Sequence, residues 1–399
     1  MEAVLITNCN FPFGSAWSSR AQGFVKLFCS CGYHVHIIAP YPQYPQDQEK
    51  DSLNSFDYSI DYVNYRDTIL TLCGIGAAAP FCKALDSYLK AHNVAFVFSN
   101  RMPFASEYIS SVAHTFGIPY ILEQCEWFDS SSFKGGVFNP YFRRSERLIR
   151  KSSFKFAVGI VSISRLLEDH YASLPVIRIP TILDTAQIKY SLGENDKKIC
   201  HLVFAGNITG RKELLTPIFL ALSKVASCKY VFHFDIYGPT YKQILDNISG
   251  NVELWNTVSD AVTIYGRIPQ QKIEEKLRSA DYSIFIRPNR RSSNAGFPTK
   301  LAESMAVGTP VITNDTGDVG LYIDDSNGFL LPDGSSDSLL NIFLSILPKS
   351  DREKREMRLS ARKRAETAFD FHNYVEPFKQ FINSVLSTSV ENNNNDDNE

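Results

Sequence analysis

Lys300 and Glu303 stand three residues apart in Thr299-Lys300-Leu301-Ala302-Glu303, a stretch that reads as the start of a helix. Residues at i and i+3 share a helix face, so an ammonium and a carboxylate meet close to the N-terminus. The first turn of a helix leaves backbone N–H groups unsatisfied and carries the positive end of the macrodipole. Those N–H groups and the Lys would take phosphate, and the Glu would accept from a vicinal diol, which is the chemistry of a nucleoside diphosphate site. The same spacing also describes an ordinary surface ion pair. Gly296 and Pro298 make the preceding segment a loop, Gly308 suits a left-handed C-cap, and Val311-Ile312-Thr313 is a short apolar strand.

A second group is Gly206-Asn-Ile-Thr-Gly210-Arg211-Lys212. The pattern predicts a helix from residue 211, which places two cations where they oppose the macrodipole at about 0.3–1 kcal/mol each. A pyrophosphate between them and the helix would relieve that cost; a pair of solvated cations is the alternative. No Gly-Lys-Ser/Thr ending is present, which disfavours a P-loop ATPase. The first loop after the opening strand holds Gly14, which lets a ligand approach the backbone or simply makes a turn. It is not a G-x-G-x-x-G fingerprint, which disfavours a nicotinamide enzyme. Glu126 follows a predicted strand and can contact a sugar, act as an acid/base group or accept backbone N–H bonds; Asp129 reads as a turn or helix cap. The histidines are scattered, and His34-x-His36 alternates on an apolar strand as core packing would.

Positioning these groups requires an α/β framework. Short apolar runs at residues 4–7, 33–39, 94–99, 120–123, 156–162 and 177–180 alternate with helical patterns at 18–31, 103–116 and from 164. This βαβ repetition implies a parallel sheet with right-handed crossovers. Residues 181–198 are polar and turn-rich, an interdomain linker. A second set follows: strands at 200–205, 230–237, 262–266, 282–286, 311–313 and 329–331, with helices at 211–226, 269–279, 299–308, 336–347 and 352–368. Residues 373–386 form an amphipathic helix. Residues 389–399 are predicted to be a disordered tail, being polar without an apolar anchor.

At 399 residues the chain fits two domains. Lys plus Arg number 41 and Asp plus Glu 43, so the net charge of −2 argues against a general nucleic-acid binder. Eight cysteines occur with no Cys-x-x-Cys pair, which fits a reducing cytoplasm without disulfides. The N-terminus has no signal-peptide pattern, and no apolar run reaches the roughly 18 residues of a membrane span. One basic cluster, residues 143–151, reads as a solvated helix face or as a site for anionic headgroups at about 1 kcal/mol per cation.

In order along the chain, these motifs resemble the GT-B glycosyltransferases, specifically the retaining family 4. The similarity runs from Phe11-Pro-Phe-Gly14 with Ser18-Ser-Arg20, through Glu126-Trp127 and Ile179-Pro180, to Phe204-Ala-Gly206, Arg211-Lys212, Tyr265-Gly266 and Ala280-Asp281. It is strongest at Gly296-Phe-Pro-Thr-Lys300, Glu303 and Gly308-Thr-Pro310. The resemblance implies two Rossmann-like domains facing across a cleft, residues 1–182 and 199–370, with a helix at about 371–388 crossing back to the first. It implies a retaining transfer from a UDP- or GDP-sugar to a surface-polysaccharide or lipid-linked glycan acceptor. No cofactor and no metal are implied, and the protein would be cytoplasmic, with peripheral contact at the inner membrane face and no nucleic-acid partner.

Carried over residue by residue, Arg211 and Lys212 bind the phosphates and Glu126 belongs to the acidic loop of the acceptor domain. Gly14, Gly206, Gly266, Ile268, Gly296, Phe297, Pro298, Thr299 and Lys300 line the donor, and Glu303 takes the ribose hydroxyls. One position departs: the family's first glutamate, eight residues before Glu303, is Ala295 here. Asn294 or Arg287 would have to replace it. That departure keeps two alternatives in view: a nucleotide-sugar 2-epimerase of the same fold, and a member that binds nucleotide or glycan without turnover.

Overall fold

A computed structural model describes residues 1–42, 53–65, 78–102, 105–127, 156–193, 199–208, 212–227 and 232–396. Arg211, Gly210, Asp129, the basic cluster at 143–151 and part of the 181–198 linker lie outside them. The chain divides into two units, the first comprising residues 1–182 and 371–399 and the second residues 183–370.

The first unit contains β1 (Glu2–Ile6), helix α1 (Ala16–Ser30), β2 (His34–Pro40), β3 (Tyr58–Val63), α2 (Ala79–Ala91), β4 (Val94–Asn100), α3 (Ala105–Thr115), β5 (Tyr120–Gln124), β6 (Ala157–Ser162), α4 (Arg165–His170) and β7 (Val176–Arg178). The strands form one sheet in the order β3-β2-β1-β4-β5-β6-β7, and every pairing is parallel. The order reverses between β1 and β4, the place where open α/β sheets bind ligands beyond their carboxyl ends.

The core of this unit is aromatic because Phe24 and Phe28 on α1 meet Phe96 and Phe98, alternate residues of β4 that share one face. Ser15 caps α1 reciprocally with Ser18, directly after Gly14. Two elements were not anticipated. Strand β3 sits at the sheet edge and buries only Val63, so it lacks an apolar run. Helix α2 buries Phe81, Leu85 and Leu89, an i, i+4, i+8 spacing that would have revealed it.

The second unit contains β8 (Cys200–Ala205), α5 (Thr216–Ser227), β9 (Phe232–Tyr237), α6 (Tyr241–Asn247), α7 (Val252–Val258), β10 (Val262–Gly266), α8 (Gln270–Ser279), β11 (Tyr282–Ile284), α9 (Arg291–Ala295), α10 (Thr299–Ala306), β12 (Val311–Asn314), β13 (Gly328–Leu331), α11 (Ser336–Ile346) and α12 (Asp351–Ala368). Its sheet runs β10-β9-β8-β11-β12-β13, again all parallel, with the reversal between β8 and β11.

The last helix, α13 (Val375–Asp396), belongs to the first unit, where Phe378 stacks on Phe28 with ring centroids 4.9 Å apart. The expected disordered tail is corrected in part. The helix continues to Asp396, because no Gly or Pro follows Pro377 to stop its propagation.

Candidate functional site

At the carboxyl ends of three neighbouring strands of the second unit stands a glycine with positive φ: Gly206 after β8, Gly238 after β9 and Gly266 ending β10. The Gly206 N–H donates to the Tyr237 carbonyl at 3.1 Å and the Gly238 N–H to the Gly266 carbonyl at 2.7 Å. A Cβ on Gly238 would lie 2.1 Å from the Gly206 carbonyl oxygen. The edge therefore presents bare backbone, which suits close approach of a ligand.

Beside it, at the switch point between β8 and β11, lies Lys300. Its Nζ donates to Glu213 Oε1 at 2.9 Å and rests 4.3 Å from the Phe204 ring centroid and 5.2 Å from that of Phe285. A Cβ on Gly206 would fall 2.7 Å from this ammonium, so the charge sits directly against the glycine turn. Helix α10 delivers Lys300 from its first turn, and its N-cap, Pro298, supplies no side-chain cap. At the other end of α10, Arg362 Nη1 donates to the Ala306 carbonyl at 2.5 Å and holds the C-terminus. Sequence spacing paired Lys300 with Glu303; the structure pairs it with Glu213. Glu303 is half-buried on the same helix.

Glu213 was not anticipated. It is 6% exposed, and its backbone is pinned on both sides. The Leu214 N–H donates to the Ile286 carbonyl at 2.8 Å, the Leu215 N–H to Asn247 Oδ1 at 2.9 Å, and Asn247 Nδ2 to the Glu213 carbonyl at 2.9 Å. These bonds also explain a correction. The helix predicted from residue 211 begins at Thr216, because the preceding N–H groups are taken by tertiary partners. Lys212 is therefore an exposed loop cation, not a helix N-terminal one, and the macrodipole argument does not apply to it.

Other expected donor residues divide. Gly296, Phe297 and Pro298 are buried, and Phe297 packs against Tyr322 and Phe369 with centroids 5.5 and 5.7 Å away. These three anchor the start of α10. Thr299 is half-buried at its first position. Ile268 packs on a small apolar cluster with Val203, Tyr237 and Leu277. Ala295 is fully buried. Asn294 is committed on both sides: its Nδ2 donates to Asn289 Oδ1 at 2.9 Å, and its Oδ1 accepts from the Gly317 N–H at 3.1 Å. The Arg287 backbone is clamped by both ends of the Asn314 amide at 2.9 Å each.

In the first unit, Gly14 has φ +140° and its position faces Asn10, whose Cβ would be 3.1 Å from an added methyl. Glu126 is half-buried just past β5, and its carbonyl accepts from Arg101 Nη1 at 3.2 Å. Three polar atoms at the carboxyl ends of adjacent strands are buried without a hydrogen-bond partner: Asn100 Oδ1, Gln124 Oε1 and Ser162 Oγ. Polar residues closing apolar strands were the available signal for them. Burial pushes the Cys9 thiol up to about 11 and Cys125 well above its usual range, so neither is a thiolate nucleophile at neutral pH. Among the described residues no group of His, Cys, Asp or Glu is placed to hold a metal ion, and no helix is long and apolar enough to cross a membrane.

Residues 200–349 match the family described as glycosyl transferases group 1. The whole fold is similar to solved structures of low sequence identity. Sucrose-phosphate synthase from Thermosynechococcus elongatus superposes with a TM-score of 0.72 at 14% identity, covering 97% of this chain and 100% of that one. Anabaena HepE, solved in complex with UDP and glucose, gives a TM-score of 0.65 at 14% identity over 96% of this chain and 100% of its own. The fold is thus that of the GT-B glycosyltransferases. Among curated proteins, the amylovoran biosynthesis glycosyltransferase AmsK of Erwinia amylovora is 32% identical over 119 residues, or 29% of this chain. The match spans only 28% of AmsK.

Proposed function

We propose that the protein is a retaining, metal-independent glycosyltransferase of polysaccharide biosynthesis. It moves a sugar from a UDP- or GDP-sugar to a surface-polysaccharide or lipid-linked glycan acceptor. The observation that carries this reading is the Lys300 ammonium set against the side-chain-free Gly206 turn at the switch point of the second sheet. A diphosphate over that edge meets bare backbone, a fixed cation and the uncapped first turn of α10. Lys212 adds an exposed cation from the segment next to Glu213, and Arg211, its neighbour in sequence, is assigned to the phosphates with it. Departure of the diphosphate is the step these groups favour, since they stabilise the charge that develops on it. Glu303 is assigned to the ribose hydroxyls and Glu126 to the acceptor side. UDP and UDP-glucose bound to HepE support the choice of donor class. The protein would work in the cytoplasm, with peripheral contact at the membrane that holds a lipid-linked acceptor.

Ala295 favours one second reading, binding without turnover, because a family carboxylate is replaced by a buried methyl. One assay separates the two. The protein is incubated with UDP- and GDP-sugars, with and without polyprenyl-linked glycan, and nucleotide release is followed. Release of UDP or GDP that depends on the acceptor is expected. Tight binding with no release under any combination would leave only the second reading.

A further inference from the structure

The Lys300–Glu213 pair is nearly closed to solvent, with side-chain exposures of 13% and 8%. Two facts about it bear on the site. Glu213 uses one oxygen: Oε1 accepts from Lys300, while Oε2 is buried with no hydrogen-bond partner. A buried carboxylate with an unmet oxygen carries an uncompensated desolvation cost. Lys300, for its part, has Glu213 as its only polar partner among the described residues. Its remaining contacts are the Phe204 and Phe285 rings, which attract a cation but accept no conventional hydrogen bond. An ammonium has three N–H donors, so it retains capacity toward the Gly206 turn. The pair is under-satisfied on both sides and rigid on one, because the Glu213 backbone is pinned by Ile286 and Asn247.

We infer that Glu213 is a built-in competitor of the donor's diphosphate. Its carboxylate holds Lys300 until a phosphate takes the ammonium, and takes it back when the nucleoside diphosphate leaves. This rests on the proposed function above and adds to it a residue that sets how tightly the nucleotide is held. A carboxylate cannot itself bind phosphate, so its place beside the nearly closed Lys300 ammonium weakens anion binding and favours product release. It also leaves Lys300 charge-compensated when no phosphate is present, and an unpaired buried ammonium would be costly.

Calorimetric titration of UDP and UMP, and of GDP and GMP, into the full-length wild type, Glu213→Gln, Lys300→Met and the double variant tests this. Glu213→Gln should bind the diphosphate about tenfold more tightly, the size of one partly buried charge pair. Its monophosphate affinity should stay within about twofold, since the inference places Lys300 on the phosphate that a monophosphate lacks. Lys300→Met should lose the preference for diphosphate over monophosphate, and in that background Glu213→Gln should change nothing. The thermal shift given by UDP or GDP should also be larger for Glu213→Gln than for wild type. Should that variant not fold, Glu213→Asp, one methylene shorter and still charged, should tighten diphosphate binding in the same direction by a smaller factor. Unchanged or weaker diphosphate binding by the folded variant, or equal tightening with Lys300 removed, overturns the inference alone. A wild type that binds neither UDP nor GDP overturns the function reading and this inference with it.

Discussion

Arg20 of α1 and Glu123 of β5 form an ion pair buried inside the first unit, with exposures of 6% and 4%. All three guanidinium nitrogens donate. Nε donates to the carboxylate, Nη1 to the Pro180 carbonyl at 2.6 Å and Nη2 to the Ile179 carbonyl at 3.0 Å. Burial pushes the Glu123 carboxyl up, and the charge and hydrogen bond of Arg20 pull it down. Arg20 is therefore a structural residue that ties the segment after β7 to α1 and β5, and Arg20→Met strands a buried carboxylate. The expected loss is about 3–5 kcal/mol, and Arg20→Met/Glu123→Leu should recover much of it. Urea unfolding followed by tryptophan fluorescence measures both. A double variant no more stable than the single one would show that stranded charge is not the cause.

His36 predicts how the first unit responds to acid. It is 4% exposed, accepts or donates one hydrogen bond with Ser59 Oγ at 2.8 Å, and stacks on Tyr88 with centroids 3.6 Å apart. Asp61 lies 3.5 Å from its Nε2, while His34, Glu2 and His92 (stacked on Tyr88 at 4.0 Å) complete the charged surroundings. Burial lowers its pKa below the ordinary 6.5, outweighing Asp61. Between the two values the unfolded chain binds more protons, so stability is complete above about 6.5 and falls as pH drops. Glu2 acts in the same direction at lower pH. Burial raises its carboxyl, but the hydrogen bonds from Tyr88 and His92 prevail and hold it below its usual value. The urea midpoint of the first unit should therefore be lower at pH 5.5 than at 7.5, and His36→Leu should flatten that difference. A slope unchanged by the substitution would assign the effect elsewhere.

The periodicity that reveals core strands explains what the sequence disclosed. Strand β8 is a nearly continuous apolar run because an inner strand of a parallel sheet buries both faces, and its boundaries, like those of edge strand β10, were read without error. Edge strand β3 escaped because its alternation, Tyr58-Ser59-Ile60-Asp61-Tyr62, is short and only Val63 is fully buried, so no continuous apolar run marks it. At the site, Gly206 and Gly266 were legible as turns at strand ends and Lys300 as a cation in the first turn of a helix, while their part in donor binding came only from the family resemblance. Glu213 was not. Its role depends on meeting Lys300 across 87 residues of chain, and its neighbours Leu214 and Leu215 made it look like part of a helix. The misplaced helix start had the same origin: hydrogen bonds to Ile286 and Asn247 are tertiary and leave no local pattern.

Phe378 fastens the final helix to the first unit. It is fully buried, stacked on Phe28 at 4.9 Å and edge-on to Phe96 at 6.2 Å. Phe378→Ala should cost about 3–5 kcal/mol, the range for a large aromatic removed from a packed core. Because the two units have separate sheets, the loss should appear in the first unit's transition alone. Fluorescence of Trp17 and Trp127, which lie in that unit, reports it in a Trp255→Phe background. Equal loss in the second unit's melt would indicate that the helix stabilises both.

Lys212→Ala separates loop electrostatics from fold. The side chain is exposed and precedes the helix by four residues, so its removal should leave the melting curve within about 0.5 kcal/mol of wild type. Acceptor-dependent nucleotide release should fall at least about tenfold if the side chain stabilises the departing diphosphate. Wild-type turnover in the variant would remove this loop from the site.

Two glycines of the same strand edge should fail in different ways when changed to alanine. At Gly238, φ is +108° and the new Cβ would stand 2.1 Å from the Gly206 carbonyl oxygen. Neither atom can yield without moving backbone, so Gly238→Ala should destabilise the second unit by more than about 2 kcal/mol, combining left-handed strain with a backbone clash. At Gly206 the nearest atom to the new Cβ, 2.7 Å away, is the Nζ of Lys300, the far end of a flexible chain. The ammonium can move, but only by leaving the glycine turn where the diphosphate is assigned. Gly206→Ala should therefore cost less stability than Gly238→Ala while weakening UDP or GDP binding at least about tenfold, since it displaces the charge that the phosphate meets. Thermal melts and calorimetric titration of both variants distinguish the two outcomes. A Gly206→Ala protein that keeps wild-type diphosphate affinity would mean that Lys300 serves the packing of α10 and not the ligand.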